Sequence, residues 1–209
     1  MYRLCALVAL VLFLTGCEIL GSSPPSPVAS PSPHTPIADA GLKANEAPSG
    51  LAACPGNGPL DKYLLDLQAT DPILAARLDS GWQLLQDNGA TAARISIYSA
   101  DAAACSAELG TAKARSAANV IVVFASEAQA DRAWSTGVFG FVPPAPDQVS
   151  PGIKRGTGTG LGPSSWTYVR PPLWLACWQK SVFVSLVIMN SVDSPTFTAA
   201  TAAVDARLH

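Results

Sequence analysis

The side chains able to do chemistry are few in this chain, and their spacing argues against a catalytic set. The two histidines, His34 and His209, stand in a Ser/Pro-rich stretch and at the last position, so neither is expected beside a nucleophile as its base. Between residues 53 and 209 the glutamates are Glu108 and Glu127, so a paired-carboxylate site would have to come from aspartates. Asp71, Asp79, Asp87, Asp101 and Asp193 fall near expected helix caps or turns, where hydrogen bonding to local amides explains them. No metal-ligand spacing, calcium loop or Cys/His cluster occurs. The expectation is a protein that is not an enzyme and uses neither metal nor cofactor.

Two concentrations of residues remain. Arg155-Gly156-Thr157-Gly158-Thr159-Gly160-Leu161-Gly162 invites a phosphate-loop reading, but Leu161 and Pro163 break the dinucleotide spacing and no Gly-Lys-Ser/Thr follows. It reads instead as an edge segment that lets the backbone approach the next strand closely, with a lid over a groove as the functional alternative. The second concentration is aromatic: Trp166, Tyr168, Trp174 and Trp178. Strand alternation puts Trp166 with Tyr168 on one face of their strand, and Trp174 with Trp178 on one face of theirs. These rings form either core between sheet and helices, or a half-open groove with Arg170 as its polar handle for an apolar, sugar or peptide ligand.

The elements that must position these residues follow from periodicity. Leu60, Tyr63, Leu64, Leu67, Leu74 and Leu78 recur at helical spacing, and Thr70-Asp71-Pro72 supplies a cap followed by proline in a first turn, so two helical pieces meet at Pro72. Gly81 is placed to stop the second, and Asp87-Asn88-Gly89 predicts a hairpin between Trp82–Gln86 and Ala92–Ser99; a helix continuing through Leu85 is the competing reading. The β-branched run 119–124 predicts a buried strand, followed by a capping box at Ser126–Gln129 and a helix reaching Trp134 that Gly137 ends. A long Gly/Pro loop fills 138–164. Strands are expected over Ser165–Arg170, Leu173–Trp178 and Val182–Met189, pairing antiparallel. Ser194-Pro195 then caps a last helix with Phe197, Ala200, Val204 and Leu208 on one face. The fold class is α+β: an antiparallel sheet covered by N-terminal, middle and C-terminal helices.

The N-terminal region differs in kind. Met1 and Arg3 precede an apolar run from Leu4 to Leu14, too short to span a bilayer, which ends in Leu14-Thr15-Gly16-Cys17. That run resembles the lipobox of bacterial lipoproteins. The resemblance implies cleavage after Gly16, a diacylglycerol on the Cys17 sulfur and acylation of the freed amine. Residues 1–16 are then a signal peptide, 17–52 a flexible Ser/Pro-rich tether, and 53–209 a single α+β domain. The implied location is the extracytoplasmic face of the cell membrane, where two or three acyl chains hold what one cannot. With Cys5 leaving in the signal and Cys17 carrying lipid, Cys54, Cys105 and Cys177 remain. Three pairings are open in an oxidising compartment. Cys54 with Cys105 is preferred because it would tie down the point where the tether enters the domain, while Cys177, inside an apolar run, reads as a buried hydrophobe.

Composition sets the remaining bounds. Apolar residues make up 49% and charged residues only 13%, enough to build one sizeable core without metals or a dense disulfide framework. A net charge of -2 without any basic run excludes an electrostatic footprint for nucleic acid, so membrane contact should come from the acyl chains. The second half, with a strand leading into Phe124-Ala125-Ser126-Glu127-Ala128, a Gly-rich turn before a hydrophobic hairpin, and the ending Val204-Asp205-Ala206-Arg207-Leu208, resembles small extracytoplasmic lipoproteins of bacteria. The resemblance implies a non-catalytic sensor or binding module. The expected function is binding of a small ligand or an envelope protein, with a structural or assembly role in the cell envelope as the alternative.

Overall fold

The computed structural model describes residues 35–101, 105, 114–148 and 150–209; the expected signal, Cys17, the tether through His34, and Glu108 lie outside these. The described residues form an α+β fold around an antiparallel sheet of eight strands. In chain order the elements are α1 (Ile37–Ala40), β1 (Ala52–Ala53), β2 (Gly58–Pro59), α2 (Leu60–Gln68), α3 (Pro72–Asp87), β3 (Ala90–Ser99) and β4 (Ser116–Phe124). They continue with α4 (Glu127–Thr136), β5 (Ile153–Arg155), β6 (Ser165–Arg170), β7 (Leu173–Lys180), β8 (Phe183–Asn190) and α5 (Ser194–Asp205). The strand order is β1-β3-β4-β8-β7-β6-β5, with β2 also pairing to β3.

Both faces of this sheet are covered, which is why β4 and β8 are buried along their whole length rather than alternating with solvent. On one face Tyr63, Leu64 and Leu67 of α2, Leu74, Trp82 and Leu85 of α3, and Ala130 and Ala133 of α4 pack on Ile95, Val120, Val122, Leu186 and Ile188. On the other, Phe197, Ala200 and Val204 of α5 pack with Leu208 on Ile121, Trp174, Trp178, Val187 and Met189. The Cys54–Cys105 disulfide is present at a Cα–Cα distance of 5.5 Å, and Cys177 is a free buried thiol.

Several elements depart from the sequence-based expectation. Gly81 does not stop a helix: α3 runs unbroken from the Asp71 cap, whose carboxylate accepts from the Leu74 amide at 2.9 Å, to Asp87. The helical alternative therefore holds at Trp82–Gln86, and Asn88-Gly89, with Gly89 at φ 95°, turns a helix into β3 instead of joining two strands. The last helix is capped by Asp193, which accepts from the Thr196 amide at 2.8 Å, one residue before the expected Ser194-Pro195. Within the expected loop 138–164 lie β5 and a 3-10 turn over Gly156–Thr159.

The largest difference concerns residues 35–51, which composition assigned to the tether and which instead form a strap across the α5 face. Ala40 and Leu42 are fully or almost fully buried. The Leu42 amide donates to Asn119 Oδ1 at 2.9 Å, its carbonyl accepts from the Tyr98 hydroxyl at 2.8 Å, and the Gly41 carbonyl accepts from Arg207 at 2.8 Å. Arg207 also makes a bidentate pair with Glu46, and Arg115 donates to the Ser49 carbonyl at 2.7 Å. At the entry point Thr35 donates from its amide to the His209 carbonyl at 3.2 Å and from its hydroxyl to the Arg207 carbonyl. The folded unit thus begins at or before Thr35, not near residue 53. Small side chains that looked unable to drive collapse are those that let a chain lie flat on a sheet.

Candidate functional site

The expected aromatic groove is not assembled. Directly opposed residues in an antiparallel pair share a face, and β6 pairs Trp166 with Cys177, Tyr168 with Leu175, Ser165 with Trp178 and Val169 with Trp174. Trp166 and Tyr168 therefore face α2–α4, whereas Trp174 and Trp178 face α5. Each pair shares one face of its strand as alternation predicts, but the sheet separates the two pairs. Trp174 lies against Phe197 of α5 with ring centroids 5.5 Å apart, and Trp178 is wholly buried. The indole nitrogens of Trp166, Trp174 and Trp178 are buried without a hydrogen-bond partner, so these rings serve as apolar bulk. Arg170 stands exposed at the end of β6, beside an open recess of about 670 Å³ bordered by Ser150, Gly152, Ile153 and Tyr168.

Three of the aspartates screened for catalysis occupy structural positions. Asp71 and Asp193 cap helices, and Asp79 bonds Gln83 one turn on at 2.7 Å. Asp61 receives the Trp82 indole N–H at 2.6 Å, tying α3 to α2, and Asp205 accepts from Lys180 at 2.9 Å. Hydrogen bonding to Thr196 holds the exposed Asp193 carboxyl below its usual range. Among the described residues no group of three or more His, Cys, Asp and Glu side chains could hold a metal ion, and no helix is long and apolar enough to cross a membrane. The Gly-rich stretch is folded on itself around Ser165: the Ser165 hydroxyl lies 2.6 Å from the Thr159 hydroxyl and within bonding distance of the Gly156 and Gly162 carbonyls, and Leu161 is buried. The Gly160 and Leu161 amides and the Thr159 and Ser165 hydroxyls, the kind of donor a phosphate would need, bond within the loop itself.

A partly enclosed recess lies elsewhere, between α3 and the turn that follows α4. Val138 and Phe141 exchange backbone hydrogen bonds of 3.2 and 2.9 Å, leaving Phe139 and Gly140 at the tip with φ of 50° and 83°. Positive φ is costly for a phenylalanine, and non-glycine residues held there concentrate at functional positions. The Phe139 ring closes down on Gly81: a Cβ at Gly81 would stand 3.1 Å from Phe139 Cδ1, so the missing side chain eases the close approach of helix and turn. Beside this contact opens a cleft of about 420 Å³ lined by Leu74, Arg77, Leu78, Gly81, Phe139 and Phe141. Its helical stripe continues to Leu84, 60% exposed; Ile73, 82% exposed, and Val142, 55% exposed, are the other large apolar residues in solvent on these two elements.

Sequence reasoning passed over these residues. Signals were available: a glycine within an otherwise helical stretch, apolar Ile73 and Leu84 among polar positions of one helix, and Phe139 beside Gly140. Comparison of the chain with protein-family models, with curated proteins and with solved structures finds no match in any of the three.

Proposed function

We propose that this protein is a non-catalytic lipoprotein, held on the extracytoplasmic face of the cell membrane by acyl chains on Cys17, whose domain binds a small apolar ligand between α3 and the Val138–Phe141 turn. The observation that carries the reading is the α3 cleft. At about 420 Å³ it has the volume of a small-molecule site, its walls are mainly aliphatic and aromatic, and Arg77 stands at its edge as a polar group. The anchor is supported by the sequence Leu14-Thr15-Gly16-Cys17. The non-catalytic reading is supported by the structural employment of Asp61, Asp71 and Asp193.

A second reading, an assembly factor working through a protein interface, is favoured by one observation. Ile73, Leu84 and Val142 extend apolar surface beyond the cleft, and exposed patches of that kind mark protein contacts. Native mass spectrometry of the full-length protein, extracted from its own membranes in mild detergent, separates the two. A ligand gives a mass excess beyond the acyl chains, lost in Leu78→Trp, which fills the cleft. A bare lipidated monomer overturns the ligand reading, and a discrete larger complex moves the conclusion to assembly. Cys17→Ala abolishes the acyl mass; an unchanged mass overturns the anchor.

A further inference from the structure

The strap is held in a manner that does not require it to belong to the same molecule. Three consecutive main-chain groups, the Gly41 carbonyl, the Leu42 amide and the Leu42 carbonyl, are each met by a side chain of the body: Arg207, Asn119 and Tyr98. The strap joins no strand ladder at these residues, so side chains of the sheet and of the C-terminal segment read its backbone, as in a peptide site. Asn119 is set for this independently of the strap. Its amide nitrogen is fixed by Ser185 Oγ at 3.1 Å and by the Leu186 carbonyl at 3.0 Å, which leaves Oδ1 facing outward as an acceptor. Shape selects further: a Cβ on Gly41 would stand 3.1 Å from Ser96 Oγ, and Ala40 and Leu42 are buried on either side. Charge is complementary as well, with Glu46 of the strap against Arg207 and the Ser49 carbonyl against Arg115.

We propose that this face is a peptide-binding seat which exchanges its own residues 35–50 for the same segment of a second copy of the chain. The occupant is argued from fit. The seat fits a small residue, a glycine and a large apolar residue in succession, then an acid four positions on, and Ala40, Gly41, Leu42 and Glu46 of another copy supply all of these. Exchange needs only a hinge at the C-terminal end of the strap, where Gly50 sits exposed at φ 80°. Exchange of an identical segment forms a dimer without any new kind of contact.

The test uses full-length chains. Gly41→Leu with Leu42→Asp spoils the strap and leaves the seat intact, whereas Asn119→Leu spoils the seat and leaves the strap intact. Mixed, the two variants are expected to form a one-to-one heterodimer in native mass spectrometry, while each alone stays monomeric. Failure to form that heterodimer overturns the proposal. Should the double variant not fold, Gly41→Ala provides the second measurement, by uptake of a labelled synthetic peptide covering residues 35–50. A cis strap competes for its own seat, so loosening it is expected to raise the apparent affinity for the peptide about tenfold over wild type. A scrambled peptide should not bind, and Asn119→Leu should take up none. Uptake unaffected by Asn119→Leu, or absent from Gly41→Ala, overturns the proposal equally.

Discussion

Cys177 shows how much a single residue can reveal from its neighbours in sequence. It stands in the run Leu173–Trp178, read as buried, and its thiol is indeed fully enclosed; burial pushes its pKa up to about 12. Only the thiolate is nucleophilic, so native protein at pH 8 is expected to leave Cys177 unmodified by iodoacetamide, with full alkylation after denaturation. Peptide mapping of both samples checks this, and labelling of the native protein would contradict the burial. The aromatic residues were legible within each strand but not between strands. A two-residue connection at Pro171-Pro172 opposes Arg170 to Leu173, which makes every pair across β6 and β7 join an even to an odd number. Trp166 and Trp174, both even, must then face opposite sides. Alternation fixes faces within one strand, and the even length of the turn carries that parity to the next.

At the scale of elements, the strap is where composition misled. Pro, Ala, Ser and Gly between residues 17 and 50 look like a tether because they bring little apolar area. Yet a segment pressed on a sheet by hydrogen bonds needs small residues more than large ones, and Gly41 is the position where a larger residue meets Ser96. The α3 helix is the converse case. Its capping signals at Asp71-Pro72 were plain, but a mid-helix glycine and Asn-Gly looked like chain breaks, because tertiary packing against Phe139 is invisible to a local rule. The strap also carries a pH dependence. Burial raises the Glu46 carboxyl, but hydrogen bonds from Arg207 and the Lys43 amide, with the charges of both side chains, outweigh it and hold the group below its ordinary value of 4.5. A carboxylate with a lowered folded pKa contributes stability above the ordinary value and loses it as pH falls through the lower one. Hydrogen exchange across residues 35–50 is therefore expected to accelerate relative to β4 below about pH 4.5, and Glu46→Gln should remove that acid-dependent step. Equal acid sensitivity in the two proteins would contradict the assignment.

Over the whole molecule, the class was readable because the central strands advertise it. Largely apolar runs such as Val120–Phe124 and Val182–Met189, the latter interrupted only by Ser185, demand cover on both faces, and helices before, between and after the strands provide it. What the sequence withheld was which segment covers which face, since that depends on crossovers rather than on local pattern. The disulfide acts at this scale. Cys54 and Cys105 are 51 residues apart, so removing the link by Cys54→Ala with Cys105→Ala frees a large loop in the unfolded chain. The chain-entropy model puts the loss at about 4 kcal/mol, to be read from urea unfolding of the two proteins. Finally, Thr35 bonds directly to His209, so the two ends of the described fold meet. The described fold is in effect a ring left open at one joint: in residues 35–209 taken alone, a short bridge from His209 to Thr35 would allow the cut to be made at Gly50 instead. The strap would then be the last piece of the described fold and no longer the first, with its contacts to Asn119, Tyr98 and Arg207 unaltered.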